Sequence, residues 1–311
     1  MNPLRIVFMG NPDFAVPSLN EIMVSEHEVV AVVTSPDKPR GRGKSVSPTM
    51  VAQRASDYAL PLIQPSLLKD DFFISQLQEL KADLFSVVAF RLLPSAVLQI
   101  PKIGSVNLHP SLLPQYRGAA PLQWALINGD VKTGITTFLL SPAMDSGDIL
   151  MTRPLGIFPE DDSGSLSLRA SQLGAHLLVE TIDSLARGTA SPKPQDDSNA
   201  SRAPKITSED CEIDWTKSAA SVRNKVRALS PAPGAYTSLA GRRLKIYRCE
   251  LSLAEEETSG EVISLNKTSF TVRCGSGSVV IQELQPEGKR RMTSGEFLAG
   301  TQLRVGDRFG K

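Results

Sequence analysis

Asn107 and His109 lie two residues apart in Ser105-Val106-Asn107-Leu108-His109, a run that alternates and then stops at Pro110. In an extended strand successive side chains point to opposite faces, so Asn107 and His109 share one face while Val106 and Leu108 take the other. Both polar side chains can hydrogen-bond a carbonyl oxygen, and an imidazole can also carry a proton near neutral pH. Donors placed this way stabilise the oxyanion that forms when a nucleophile adds to a carbonyl, and one such bond contributes about 3–4 kcal/mol. A carboxylate, Asp145, follows in Ser141–Leu150, just past the alternating run Gly134–Leu140, where an Asp close to a glycine by itself reads as a turn residue. A carboxylate beside an imidazole raises its pKa. If the Gly134–Leu140 strand lies beside the one carrying His109, Asp145 either orients His109 and holds it protonated, or passes a proton through water, and the sequence leaves both roles open. The chain has neither a serine triad pattern nor a nucleophile elbow. His176 falls mid-helix and His27 precedes a strand, so only His109 has an argument for chemistry.

The elements that must position these groups can be read from the same residues. Pro110 and Pro114 force extended backbone and remove two amide donors, making Ser111-Leu112-Leu113-Pro114 a stiff loop. Leu4–Phe8, Val29–Val33 and Leu84–Val88 are short, strongly apolar runs of the kind that form buried parallel strands. Helical spacing over Phe14–Met23 completes an opening β-α-β unit, which predicts a Rossmann-like layered domain. In such sheets ligands sit outside the carboxyl ends of strands, where Asn107 and His109 lie. No G-x-G-x-x-G follows the first strand, so a dinucleotide cofactor is not supported. Gly43-Lys44-Ser45 imitates the end of a P-loop, but Lys38 stands where its first glycine is required.

The length of 311 residues favours two domains. The expected division is 1–189 as the α/β domain, 190–205 as a Ser/Pro/Asp-rich linker and 206–311 as a small C-terminal domain. Beyond the linker short strand-like runs recur between glycine turns, at Gly234–Ser238, Leu244–Tyr247, Gly260–Leu265, Phe270–Arg273 and Ser278–Leu284. They predict an OB-like β-barrel. Net charge is +1 overall, but Lys+Arg against Asp+Glu is 17 to 20 over residues 1–204 and 17 to 13 over residues 205–311. A basic barrel is compatible with nucleic acid, and so is the loop Pro36–Lys44, which carries four cations. Three widely spaced cysteines, Cys211, Cys249 and Cys274, suggest neither a disulfide framework nor a metal site. No signal peptide or membrane-length apolar run is present, so a cytoplasmic protein with no membrane association is expected.

Asn107-Leu108-His109-Pro110-Ser111-Leu112-Leu113-Pro114, followed by Tyr116-Arg117-Gly118-Ala119-Ala120-Pro121, resembles the signature of folate-dependent formyltransferases. Gly10–Leu19, the Gly41-Arg42-Gly43-Lys44 loop, Ile213–Ala219, Pro231–Ala235 and Glu283–Met292 extend the resemblance over nearly the whole chain, toward the methionyl-tRNA formyltransferase family. The resemblance implies a formyltransferase domain followed by a tRNA-binding barrel, with 10-formyltetrahydrofolate as formyl donor and charged initiator methionyl-tRNA as acceptor. It also implies no metal and a monomer. It assigns catalysis to Asn107, His109 and Asp145 and folate binding to Ser111, Leu112, Leu113 and Pro114. Contact with the tRNA acceptor end falls to Arg42 and, more loosely, to Arg40 and Lys44. Asp148, the second acid of the Asp-x-Gly-Asp pattern, reads as structural. Two positions depart from the family pattern: Asn11 stands where Thr is expected, and Arg91 where many members have Gly. A rival acceptor, a small amine such as glycinamide ribonucleotide or an amino sugar, fits the same trio. The basic loop and the second domain favour tRNA. A non-catalytic RNA-binding protein on the same fold is disfavoured by retention of all three groups.

Overall fold

Three runs of β-branched and apolar residues set the centre of the molecule: β1 (Arg5–Gly10), β2 (Glu28–Val33) and a later strand, Leu84–Val88. All five residues of Leu84–Val88, and five of the six in each of the other two, are buried, as strands covered on both faces require. A computed structural model describes residues 2–40, 45–252 and 258–310. The chain forms two compact units. One comprises Met1–Ala119, Thr133–Gly156 and Ser167–Ala203, and the other Ala120–Lys132, Ile157–Leu166 and Pro204–Lys311.

In the first unit the chain continues through a short ladder, β3 (Lys38–Arg40) with β4 (Ser45–Ser47), to β5 (Leu62–Ile63). Then follow β6 (Leu84–Val88), β7 (Gly104–His109), β8 (Lys132–Leu139) and β9 (Ile149–Gly156). One seven-stranded sheet has the order β5-β2-β1-β6-β7-β8-β9. Pairing is parallel from β5 to β7, and β8 joins β7 antiparallel. In chain order the helices of this unit are α1 (Val16–Met23), α2 (Met50–Asp57), α3 (Asp71–Glu79) and α4 (Ser95–Leu98); α5 (Pro121–Asn128) falls in the second unit, and α6 (Ser163–Ala186) lies in the first from Ser167 onward. Side chains start two of them: Thr49 accepts from the Ala52 amide and Asp70 from the Phe72 amide. Leu108, on the face of β7 away from His109, is buried against α6 at Gly174, where an added Cβ would sit 2.8 Å from Leu108 Cδ2. That close approach fixes the back of the strand that carries the predicted chemistry.

In the second unit α5 packs on α7 (Ala219–Ala228). An antiparallel sheet holds β10 (Ala235–Leu239), β11 (Arg242–Ser252), β12 (Val262–Leu265), β13 (Phe270–Arg273), β14 (Ser278–Pro286) and β15 (Met292–Thr293), before the final helix α8 (Ser294–Ala299). The order is β10-β11-β14-β13-β12, with β15 on β14. The last described residues link the two edge strands. Phe309 bridges Leu239 at the end of β10, Arg308 bridges Glu261 beside β12, and Gly310 N–H donates to the Ser238 carbonyl. This closes the sheet toward a barrel, as the short glycine-punctuated strands predicted, around Trp215, Phe270, Phe297 and Phe309. Strand β11 extends well past the expected Leu244–Tyr247. Its outer half pairs with β14 as far as Ser252 opposite Ser278. No described helix is long and apolar enough to cross a membrane.

Candidate active site

The register of β7 places the polar pair. Asn107 lies opposite Phe138 and His109 opposite Thr136 on β8, at the carboxyl end of the parallel part of the sheet. His109 is 4% exposed. Its Nε2 lies 2.9 Å from the Tyr116 carbonyl oxygen. A carbonyl only accepts, so Nε2 carries the proton and Nδ1 is left to face the next group. That group is Asp145, whose Oδ2 is 3.8 Å from Nδ1. The separation is too long for a direct hydrogen bond and short enough for one intervening proton carrier. Burial holds the His109 pKa below its usual value, while the Asp145 charge and the Tyr116 carbonyl push it back up. Asn107 Oδ1 is buried without a hydrogen-bond partner. Asn107 Oδ1 is an acceptor, so a ligand that brings an N–H, such as an amine, would satisfy it, while the Asn107 Nδ2 donor suits a carbonyl oxygen; these residues fit a formyl donor together with an amine acceptor.

Local backbone explains how the groups are held. Ser111 N–H donates to the His109 carbonyl and Ser111 Oγ to the Gln115 carbonyl at 2.6 Å. Thr136 Oγ1 accepts from Leu113 N–H and donates to the Ser111 carbonyl, tying the 111–114 loop to β8. Ser111 and Leu113 are buried, and Leu112 covers Gly134, so this loop offers a ligand mainly backbone, Pro114 and part of Leu112. Asp145 sits in the left-handed region, at φ 50°, and its Oδ2 accepts the Gly118 N–H at 2.8 Å. Gly118 has φ 130°, and a Cβ there would lie 2.4 Å from the Ala203 carbonyl oxygen, so no other residue could present this amide. Asp148 is exposed, and its carbonyl accepts from Leu139 N–H.

The structure thus brings Asn107, His109 and Asp145 to one sheet end with the Ser111–Pro114 loop beside them. Arg42 and Lys44 lie outside the described residues, as does the side chain of Arg40. The two departures from the family pattern have physical partners. Asn11 Oδ1 accepts from Ser35 N–H and Thr34 Oγ1, joining the turn after β1 to the end of β2. Arg91 lies over the Phe90 ring and donates to the Pro65 and Ser66 carbonyls, so its length braces a neighbouring loop. Sequence reasoning missed the Tyr116 carbonyl, the Gly118 amide and Gln195. The first two act through backbone, which residue type does not mark. Gln195 lies in the stretch read as a linker and carries no motif of its own.

The depressed His109 pKa has a consequence for stability. Below about pH 6.5 the unfolded chain binds a proton that folded His109 resists, so stability falls with pH in that window. The variant His109→Gln should show a flatter loss of stability between pH 7.5 and 5 than the parent when both are unfolded in urea. Parallel losses would contradict the burial of a neutral imidazole.

Residues 4–182 match the family described as Formyl transferase and residues 205–302 match Formyl transferase, C-terminal domain. The chain is 45% identical to a methionyl-tRNA formyltransferase from Geobacter sulfurreducens over 312 aligned residues, covering 100% of this chain and 98% of the relative. It is 42% identical to one from Moorella thermoacetica, covering 99% of each. Among solved structures it shares its fold with HypX from Aquifex aeolicus in complex with tetrahydrofolic acid, at TM-score 0.68 and 20% identity. The match covers 99% of this chain, which spans 51% of HypX. A methionyl-tRNA formyltransferase from Clostridium thermocellum superposes at TM-score 0.57 and 17% identity, covering 80% of this chain and 94% of that one. With both family segments matched and relatives aligned end to end, the chain belongs to the formyltransferase family, within its methionyl-tRNA branch.

Proposed function

We propose that this chain transfers the formyl group of 10-formyltetrahydrofolate to the free α-amino group of methionyl-tRNA, giving formylmethionyl-tRNA for translation initiation. The observation that carries the reading is the buried His109 imidazole, its Nε2 spent on a backbone carbonyl and its Nδ1 3.8 Å from the Asp145 carboxylate, next to an unpartnered Asn107. The nucleophile is the neutral amine of the acceptor. Its lone pair forms the new C–N bond to the formyl carbon and the carbonyl electrons move to oxygen. Asn107 Nδ2 donates to that oxyanion. The amine proton passes through the gap between Asp145 and His109 Nδ1, either directly or by one water, and the imidazolium so formed is stabilised by the carboxylate. As the bond to the folate nitrogen breaks, that nitrogen recovers a proton from the same pair. The Ser111–Pro114 loop binds the folate through backbone groups, with Leu112 and Pro114 against its ring. Cysteine chemistry has no place here, because burial pushes the Cys249 and Cys274 thiols up to about 12.

Acceptor choice rests on basic surface and on full-length kinship. Arg40, Arg42 and Lys44 meet the acceptor end of the tRNA, and the second unit adds cations stacked on aromatic rings. Arg243 lies 4.1 Å from the Tyr236 centroid and Arg291 4.5 Å from that of Tyr247. On this reading the enzyme works in the cytoplasm as a monomer, with charged initiator tRNA and folate as its partners.

Incubation with labelled 10-formyltetrahydrofolate and, separately, methionyl-tRNA or glycinamide ribonucleotide should label the tRNA. Label on the ribonucleotide alone would overturn the assignment. His109→Ala should lower kcat by roughly 10²–10³-fold with tRNA affinity intact, and near-parental turnover would refute its role. Binding of tRNA should weaken steeply with salt, and Arg42→Ala should lower the slope of log K against log salt by about 1. An unchanged slope would remove Arg42 from the interface.

A further inference from the structure

The stretch after α6 that composition reads as a linker is hydrogen-bonded along the edge of the site. Ile149 and Lys193 exchange both backbone hydrogen bonds, at 2.8 and 2.9 Å. Farther on, Ser201 Oγ accepts from Tyr116 N–H, the Ser201 carbonyl accepts from Arg117 N–H, and Ala203 N–H donates to the Arg117 carbonyl. Between these anchors lies Gln195. Its Nε2 donates to the carbonyls of Asp145 and Gly147, both at 2.8 Å. Its Oε1 accepts from Arg117 Nε at 3.0 Å and from Arg117 Nη2 at 2.7 Å. A carboxamide has two N–H donors and two acceptor lone pairs, and here all four are used.

We propose that Gln195 is a positioning residue for the reaction: one carboxamide couples the Asp145 loop to Arg117 and so fixes the Asp145 carboxylate opposite His109. Asp145 has φ 50°, a conformation that a non-glycine residue holds only when its surroundings impose it. Its own carbonyl is held by Gln195 and its carboxylate by the Gly118 amide. Arg117 is the residue between Tyr116, whose carbonyl fixes His109 Nε2, and Gly118. Gln195 thus clamps together the two segments that hold the imidazole and the carboxylate. Arg117 is further held by Asp197 at 2.7 Å, from the same strap. Neither Glu nor a shorter amide reproduces this pattern. Glu keeps the acceptors for Arg117 but places a carboxylate oxygen against two carbonyls.

The inference rests on the formyl-transfer reading for its kinetic consequence but not for its structural one. Three forms of the full chain separate the two: the parent, Gln195→Ala and the isosteric Gln195→Glu. In formyl-transfer assays both variants should lose about 10–100-fold in kcat, as small misplacement of a reacting group does. KM for methionyl-tRNA and for the folate should stay within about threefold, since neither substrate is bound by Gln195. Titration of the His109 imidazole by NMR needs no substrate. Its midpoint should fall in Gln195→Ala, because the charge that raises it, Asp145, is no longer held in place; Gln195→Glu brings a charge of its own and is read by kcat. Melting curves check that each variant is folded, and Gln195→Glu is the form to use if Gln195→Ala is not. Parental kcat in Gln195→Glu, or an unmoved His109 midpoint in folded Gln195→Ala, would overturn the proposal. If the parent formylates neither methionyl-tRNA nor glycinamide ribonucleotide, the formyl-transfer reading fails while the His109 titration still decides the role of Gln195.

Discussion

The site depends on how one imidazole distributes its two nitrogens. Because Nε2 of His109 donates to the Tyr116 carbonyl, the only nitrogen left for chemistry is Nδ1, and it faces Asp145. Burial would by itself keep the ring neutral, and the carboxylate opposes that tendency. The two effects poise the ring to gain and lose a proton at modest cost, which is what general acid–base work near neutral pH requires. Had Tyr116 not fixed the tautomer, the ring could satisfy Asp145 directly with an Nδ1–H bond and would have no vacant lone pair toward it.

Most of the surrounding structure can be read as support for that arrangement. The parallel core strands bury the sheet on both faces, α6 locks the back of β7 through Leu108 at Gly174, and β8 pairs antiparallel to bring Thr136 under the 111–114 loop. The strap from Lys193 to Ala203 then closes over the Tyr116–Gly118 backbone, leaving room at Gly118 for glycine alone. Rigidity of this kind suits a reaction in which the enzyme contributes hydrogen bonds and a proton path rather than a covalent nucleophile. The second unit is built by different means, as a small antiparallel barrel whose arginines stack on tyrosines.

Different parts of this were legible in the sequence for different reasons. The shared face of Asn107 and His109 followed from strand alternation alone, a local property. The buried strands were plain because β-branched runs such as Glu28–Val33 have few other fates. The nearness of Asp145 to His109 depends on the pairing of β7 with β8, which is a tertiary fact, and only the family pattern pointed to it. Strand β11 runs past the expected Leu244–Tyr247 because its outer half, Arg248–Ser252, pairs with β14. Gln195 could not be found at all. A glutamine among Ser, Pro and Asp carries no periodicity, and its role comes from hydrogen bonds to backbone fifty residues away. Arg91 stood out in the sequence only as a departure from the family pattern, and the structure gives it two carbonyls and a ring to pack on.

The account turns on the protonation pattern of His109, and ¹⁵N chemical shifts of its imidazole in the intact protein report that pattern directly. At a pH where the ring is neutral, the arrangement predicts the tautomer with hydrogen on Nε2 and an unprotonated Nδ1. A neutral ring carrying its proton on Nδ1 would mean that Tyr116 does not fix the imidazole and that Asp145 is bonded to it directly, contrary to the mechanism derived above.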